Sequence, residues 1–107
     1  MTDPTVAIVM ANYLEFAKQY YPPKNKRGTS EYHDLIPVMR TLRQVAGTML
    51  AKEFGPKKLK EVREAFIVAG QCRETVNRNV QRVRRMFRWA SSEEFIAGAV
   101  WQNLAAV

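Results

Sequence analysis

The chain has 107 residues, 47% of them hydrophobic and 25% charged, with a net charge of +7. That is the size and balance of one ordinary globular domain with a modest core. The single cysteine, Cys72, excludes an internal disulfide and leans towards a reducing cytoplasm. No apolar run approaches the roughly 18 residues of a membrane span, and an N-terminus with Asp3 and no basic stretch is not a secretory signal.

In chain order the sequence reads as helix throughout. Asp3-Pro4 predicts a helix start, and Val6, Val9, Met10, Tyr13, Phe16, Ala17 and Tyr20 form an apolar stripe, so helix 1 is predicted over about 5–20. Pro22-Pro23 stops it, and a basic loop with Lys24, Lys26 and Arg27 follows. Thr29 or Ser30 can cap helix 2, which runs to about Ala46 with Leu35, Met39, Leu42 and Val45 inward. Pro37 lies deep inside it and predicts either a kink near His33 or a helix that regularises only after Asp34. Gly47 should end helix 2 through positive φ, and residues 48–54 can make one short turn. Gly55-Pro56 opens helix 3, with Leu59, Val62, Phe66 and Ala69 inward and Gly70 closing it. Helix 4 follows. Ser91 or Ser92 then caps a further segment whose start Glu93 and Glu94 would suit, and a short amphipathic piece runs from Ala99 to Val107. No run alternates with period two, so no strand is predicted.

Helix 4, Cys72–Ala90, is the most distinctive segment. It carries six arginines (73, 78, 82, 84, 85 and 88) against one acid, Glu74. Val76, Val80, Val83, Phe87 and Ala90 recur at steps of 4, 3, 4 and 3, one stripe at about 100° per residue. Arg78, Arg82, Arg85 and Arg88 fall on the other side, so one face can join a core while the other meets a polyanion. A solvated charged face is the bland alternative, but such faces usually mix signs, and this one does not. The basic excess is confined to two blocks, 24–58 and 72–90, of +5 each. Arg84 lies nearer the stripe's edge, where it could pair with an acid, and Trp89 would pack under helix 5 or helix 1, or form part of a partner surface.

Recognisable catalytic chemistry is missing. His33 has no second histidine or cysteine at ligand spacing, so no zinc site is expected. Cys72 reads as a capping or packed thiol, and there is no P-loop, no GxGxxG and no acidic triplet. No cofactor is implied. Glu93-Glu94 point about 100° apart on a helix and make no catalytic pair.

Taken in order, several pieces resemble the core-binding domain of tyrosine recombinases, or phage integrases. They are Thr75, Asn77, Arg82, Arg85, Phe87, Trp89-Ala90, Phe95-Ile96 and Leu104, preceded by Tyr13-Leu14-Glu15-Phe16, Phe54-Gly55-Pro56-Lys57 and Val62-Arg63. The resemblance spans about residues 5–107. It implies an all-α SAM-like fold, a compact orthogonal bundle of four main helices plus a short C-terminal helix. It also implies a bacterial or phage origin and a single DNA-binding domain that grips duplex DNA as half of a clamp during DNA integration and recombination. The family's other half is a C-terminal catalytic domain, whose arginine, lysine, histidine and tyrosine set has no counterpart here. The expectation is therefore an excised binding module, monomeric in isolation, that neither cleaves nor ligates DNA, with the catalytic domain of the same parent protein as its partner.

In this reading helices 2 and 4 turn their N-terminal halves to the major groove. Arg73, Thr75, Asn77 and Arg78 reach base edges or nearby phosphates, since arginine bonds guanine and asparagine bonds adenine bidentately. Arg82, Arg85, Lys24, Lys26, Arg27, Lys57 and Lys58 hold phosphates, and Tyr32 and Arg43, with His33 and Arg40, are further candidates on helix 2. Two other classes compete: a helical protein-interaction domain whose basic face meets an acidic partner, and a small helix-turn-helix repressor. Helix 4 is longer than the recognition helix of the latter needs.

Overall fold

In the computed structural model, residues 3–21 and 31–106 are described. Their elements are α1 (Val6–Tyr20), α2 (Glu31–Ala46), a 3₁₀ turn (Ala51–Glu53), α3 (Pro56–Val68), α4 (Arg73–Ser92), α5 (Gly98–Asn103) and a terminal 3₁₀ turn (Leu104–Ala106). Among the described residues there is no strand, only an isolated bridge between Thr5 and Leu50. The chain is an all-α bundle, and no described helix is long and apolar enough to cross a membrane.

α4 is the axis of the bundle, packing against α1, α2, α3 and α5. Its stripe Val76, Val80, Val83, Phe87 and Ala90 is buried, as its spacing predicts, and so are Tyr13, Leu42, Leu59, Val62 and Phe66 from the other helices. Phe87 stacks on Phe54 with ring centroids 4.5 Å apart. Met86 is also fully buried, which widens the apolar face beyond the predicted stripe. Ile96 and Leu104 bring the C-terminal segment onto the same core.

Several expectations are corrected. Thr5, not Asp3, caps α1: its hydroxyl accepts from the Ile8 amide at 3.3 Å. Pro4 lies outside the helix, and Asp3 pairs with Lys52 at 2.7 Å. The amides of Val6 and Ala7, orphans at any helix start, donate to the carbonyls of Met49 and Gly47 at 2.9 and 3.0 Å. Gly47, whose carbonyl takes part in this docking, is required by crowding within its own turn. Its φ is not positive; instead a Cβ there would stand 2.5 Å from the Arg43 carbonyl oxygen. α2 is helical from Glu31 onward, with Pro37 inside it, and does not wait until after Asp34. Pro37 and His33 are both exposed, so the carbonyl that loses its amide partner faces solvent, where water can replace the bond. Tyr20 and Ala69, predicted inward, are exposed, and Val45 is only half-buried while Val38 and Ala46 fill its place.

Two helices end in the same way. After α3, Gly70 takes φ 87°, with its amide on Ile67 and that of Gln71 on Phe66, the paired bonds of a Schellman motif. After α4, Glu94 takes φ 64°, with its amide on Ser91 and that of Phe95 on Ala90. Ser91, Ser92, Glu93 and Glu94 therefore close α4; they do not open the next helix, whose N-cap is Ala97. The reason is that α4's apolar periodicity continues through Ala90, so the helix keeps its buried contacts until the chain must turn.

Three substitutions check this architecture. Phe87→Ala should cost about 3–5 kcal/mol in chemical unfolding, as removal of a central aromatic does. Glu94→Gly should raise stability by about 0.5–1 kcal/mol, because it relieves a left-handed residue with a Cβ, and Gly70→Ala should lower it by a similar amount.

Candidate nucleic-acid interface

The arginines of α4 divide into two sets, and a carboxylate from another helix makes the division. Glu31 opens α2. Its Oε1 and Oε2 accept from the Nε and Nη2 of Arg82 at 3.0 and 3.3 Å, a bidentate fork. The same Oε1 accepts a short bond from Arg85 Nη2. Arg82 also donates to Asn79 Oδ1 at 2.7 Å, and Asn79 Nδ2 donates to Gln71 Oε1 at 2.9 Å. Asp34 stands 3.6 Å from Arg82. Arg85 Nε donates to the Tyr13 hydroxyl at 3.3 Å, and its guanidinium lies 5.5 Å over the Tyr21 ring. A polar chain thus ties the α3–α4 turn and α4 to the starts of α2 and the middle of α1.

Burial follows this wiring. The Arg82 side chain is 11% exposed, and its cationic head is committed to the interior. Burial tends to raise the Glu31 pKa, but hydrogen bonds from Arg82 and Arg85 and their charge outweigh it and hold the carboxyl below its ordinary 4.5. For Arg85, burial pulls downward, but the bonds to Glu31 and Tyr13 hold it above its ordinary value. Tyr21 is pushed up to about 12 by burial and by neighbouring Tyr13.

The remaining cations lie outside the clasp. Arg73, Asn77 and Arg78 are exposed in the first half of α4, and Thr75 is half-buried. The structure brings Arg73 and Asn77 together with Arg63 of α3 around one groove, which also includes Ile67, Gln71 and Val76. Thr75 and Arg78 line a second groove, against α2, together with Asp34. That groove carries an acid and is the poorer place for a phosphate. Further along α4, Gln81, Arg84, Arg85 and Arg88 line a third groove with Trp101 of α5. Arg88 sits 5.5 Å over the Trp101 ring. Among the described residues Arg84 pairs with no acid, contrary to the expectation from its edge position.

The other predicted site residues scatter. Lys57 is exposed and Lys58 pairs with Glu61 at 3.3 Å, both in the first turn of α3. They lie about 16 Å of helix rise from its end at Val68. Arg43 is exposed in the last turn of α2, and Tyr32 is half-buried at its start, edge-on to exposed His33 at 5.7 Å. Lys24, Lys26 and Arg27 lie outside the described residues. The start of α2 brings Glu31 and Asp34 up to α4, so its N-terminal half does not share the positive face.

Trp89 packs on α1, its ring 5.4 Å from Tyr13 and stacked at 5.3 Å on Phe16, with Phe95 at 5.6 Å. Cys72 is the exposed N-cap of α4, and its Sγ lies 3.2 Å from Thr75 Oγ1, a contact that lowers the thiol's pKa. Among the described residues no group of three or more histidines, cysteines or acids is placed to hold a metal. Comparison of the chain with protein-family models, with curated proteins and with solved structures finds no match.

The clasp has a measurable signature. The folded pKa of Glu31 is depressed, so its stabilisation is complete above about pH 4.5 and is lost as pH falls through the folded pKa. Glu31→Gln should cost about 1.5–3 kcal/mol near neutral pH, the worth of hydrogen bonds to a charged group. It should also flatten the acid limb of the stability–pH curve, measured by urea unfolding at successive pH values.

Proposed function

We propose that this domain binds duplex DNA through the outer face of α4, in the manner of the core-binding half of a tyrosine recombinase clamp. The observation that carries the reading is the one-sidedness of α4. Its inner face is buried and apolar except for Asn79, and its outer face exposes Arg73, Arg78 and Arg88 with Asn77 and Gln81, against the single acid Glu74. From Arg73 to Arg88 the face runs about 22 Å. The major groove is about 12 Å wide, so the helix can enter it and still meet phosphates on both sides. Arginine and asparagine near the N-terminal end have the donors and acceptors to read guanine and adenine edges. Arg88, with part of Arg85, supplies charge that positions without specifying. The clamp partner in this reading is a catalytic domain of the same parent protein, which would supply the strand-cleaving chemistry.

Arg82 has a different role from the one its place in the sequence implies. Its head is held by Glu31 and Asn79, so it shapes the face without touching the ligand.

A helix-turn-helix reading draws on one further feature. Only residues 69–72 separate α3 from α4, the short turn that such a motif requires. The two readings differ in where binding energy resides. A recognition helix concentrates it in Arg73–Arg78, whereas the clamp reading spreads it to Arg88.

Titration of a 20-base-pair duplex at low salt, followed by amide chemical shifts, tests the proposal. Shifts should follow α4 from Arg73 to Arg88 and leave α2 largely unmoved. Arg78→Ala should weaken binding by about 1–3 kcal/mol, the worth of one bidentate base contact. Arg82→Ala should reduce stability with a much smaller effect on binding. An α4 unmoved by duplex, with shifts produced by acidic peptide instead, would turn the reading to a protein-interaction surface.

A further inference from the structure

Of the groove between α4 and α5, only Arg88 and Arg85 have a role so far; Arg84, Gln81 and Trp101 have none. Gln81, Arg84, Arg85, Arg88 and Trp101 line it, with a volume of about 320 Å³. That is the small end of the range for ligand clefts, about 300–1,000 Å³, and suits one compact group. Arg84, Arg85 and Arg88 bring three like charges to one short stretch of helix. Arg85 is balanced by Glu31; Arg84 and Arg88 make no ion pair among the described residues. Arg84 is half-buried, and its Nε is fully buried with no acceptor among the described residues. A desolvated donor left without an acceptor is costly, more so on a cation. Arg88 lies over Trp101 with its guanidinium carbon 5.5 Å from the ring centroid, a cation–π distance that anchors it on that side. The opposite side and the Gln81 amide remain for a ligand. Stem packing alone explains why Arg84 is partly buried; it does not explain a second unpaired arginine turned to the same groove.

We propose that this groove is a phosphate-anchoring site, in which Arg84 and Arg88 clamp a single backbone phosphate of the bound nucleic acid while Trp101 holds Arg88 in place. The assignment rests on the DNA-binding reading above and extends it to the α5 side of α4, to residues that base-edge reasoning does not single out. A backbone phosphate suits two guanidinium forks and an amide because its two charged non-bridging oxygens each accept more than one hydrogen bond, with the ester oxygens beside them. The same chemistry could come from a free phosphate compound, and the experiment separates the two sources.

The test compares wild type with the double variant Arg84→Gln/Arg88→Gln, both shown to fold by circular dichroism, in two titrations. In the first, the ligand is a 20-base-pair duplex across a salt series. The double variant should bind about tenfold more weakly at low salt, and its slope should fall by about 0.9, because both arginines serve one phosphate. Unchanged affinity and slope in the double variant, while Arg78→Ala still weakens binding, would overturn the groove and leave the α4 reading standing. In the second, the ligand is inorganic pyrophosphate, read at the indole N–H resonance of Trp101. Should wild type bind no duplex at all, the DNA reading falls. A Trp101 shift with pyrophosphate that the double variant lacks would then sustain the site with a free phosphate compound as its ligand. An unmoved Trp101 would remove the site as well.

Discussion

The carboxylate of Glu31, held between Arg82 and Arg85, is the constraint on which the arrangement of this domain turns. It sits at the first residue of α2, and its two partners lie in the middle of α4, so it fixes where α2 begins against the axis of the bundle. Partly buried ion pairs are poor evidence for net stability, because desolvation offsets much of the attraction. Their consequence here is positional. Breaking the pair from either side would leave a buried or half-buried charge without its partner, so alternative registers of α2 on α4 are disfavoured. The chain from Gln71 through Asn79 and Arg82 to Glu31, Arg85 and Tyr13 extends that constraint to three helices.

The clasp also sets the electrostatics of the surface. Six arginines on one helix would repel one another if all were solvated on one face. Glu31 draws two of them down and screens them, and the aromatic cluster of Tyr13, Phe16, Tyr21 and Trp89 gives Arg85 an apolar floor. Of the cations left over, Arg73, Arg84 and Arg88 lie on the side of α3 and α5. The α2 side carries Arg78 beside the acids Glu31 and Asp34. A polyanion approaching this molecule meets a positive edge with an acidic border. That asymmetry orients an encounter before any specific contact forms.

The helix ends show how local chemistry and tertiary docking share the work. Gly70 closes α3 by its own conformational freedom, which any sequence reading can find. Gly47 is required for another reason: in the turn that receives the first amides of α1, the Arg43 carbonyl one turn back leaves no room for a Cβ. Glu94 does the work of a glycine without being one, because Phe95 and Ile96 must be carried back towards Trp89 and the core.

Periodicity alone determined most of the fold. Apolar steps of three and four residues on each helix placed Val76, Val80, Val83, Phe87, Leu42, Leu59, Val62, Phe66 and Tyr13 in the interior, and all nine are buried. Burial of apolar surface is non-directional, so a stripe in the sequence is enough to indicate an inward face. The one-sided charge of α4 was legible for the same reason. The fate of each arginine was not. Arg82 and Arg85 look like their neighbours along the chain, and their engagement depends on a carboxylate more than fifty positions away. Asn79 gave no signal as the buried link of a polar chain, and Arg84 and Arg88 gained their groove only when α5 brought Trp101 against them. Ion pairs and hydrogen bonds are directional and short-ranged, so their partners exist only once the helices have docked.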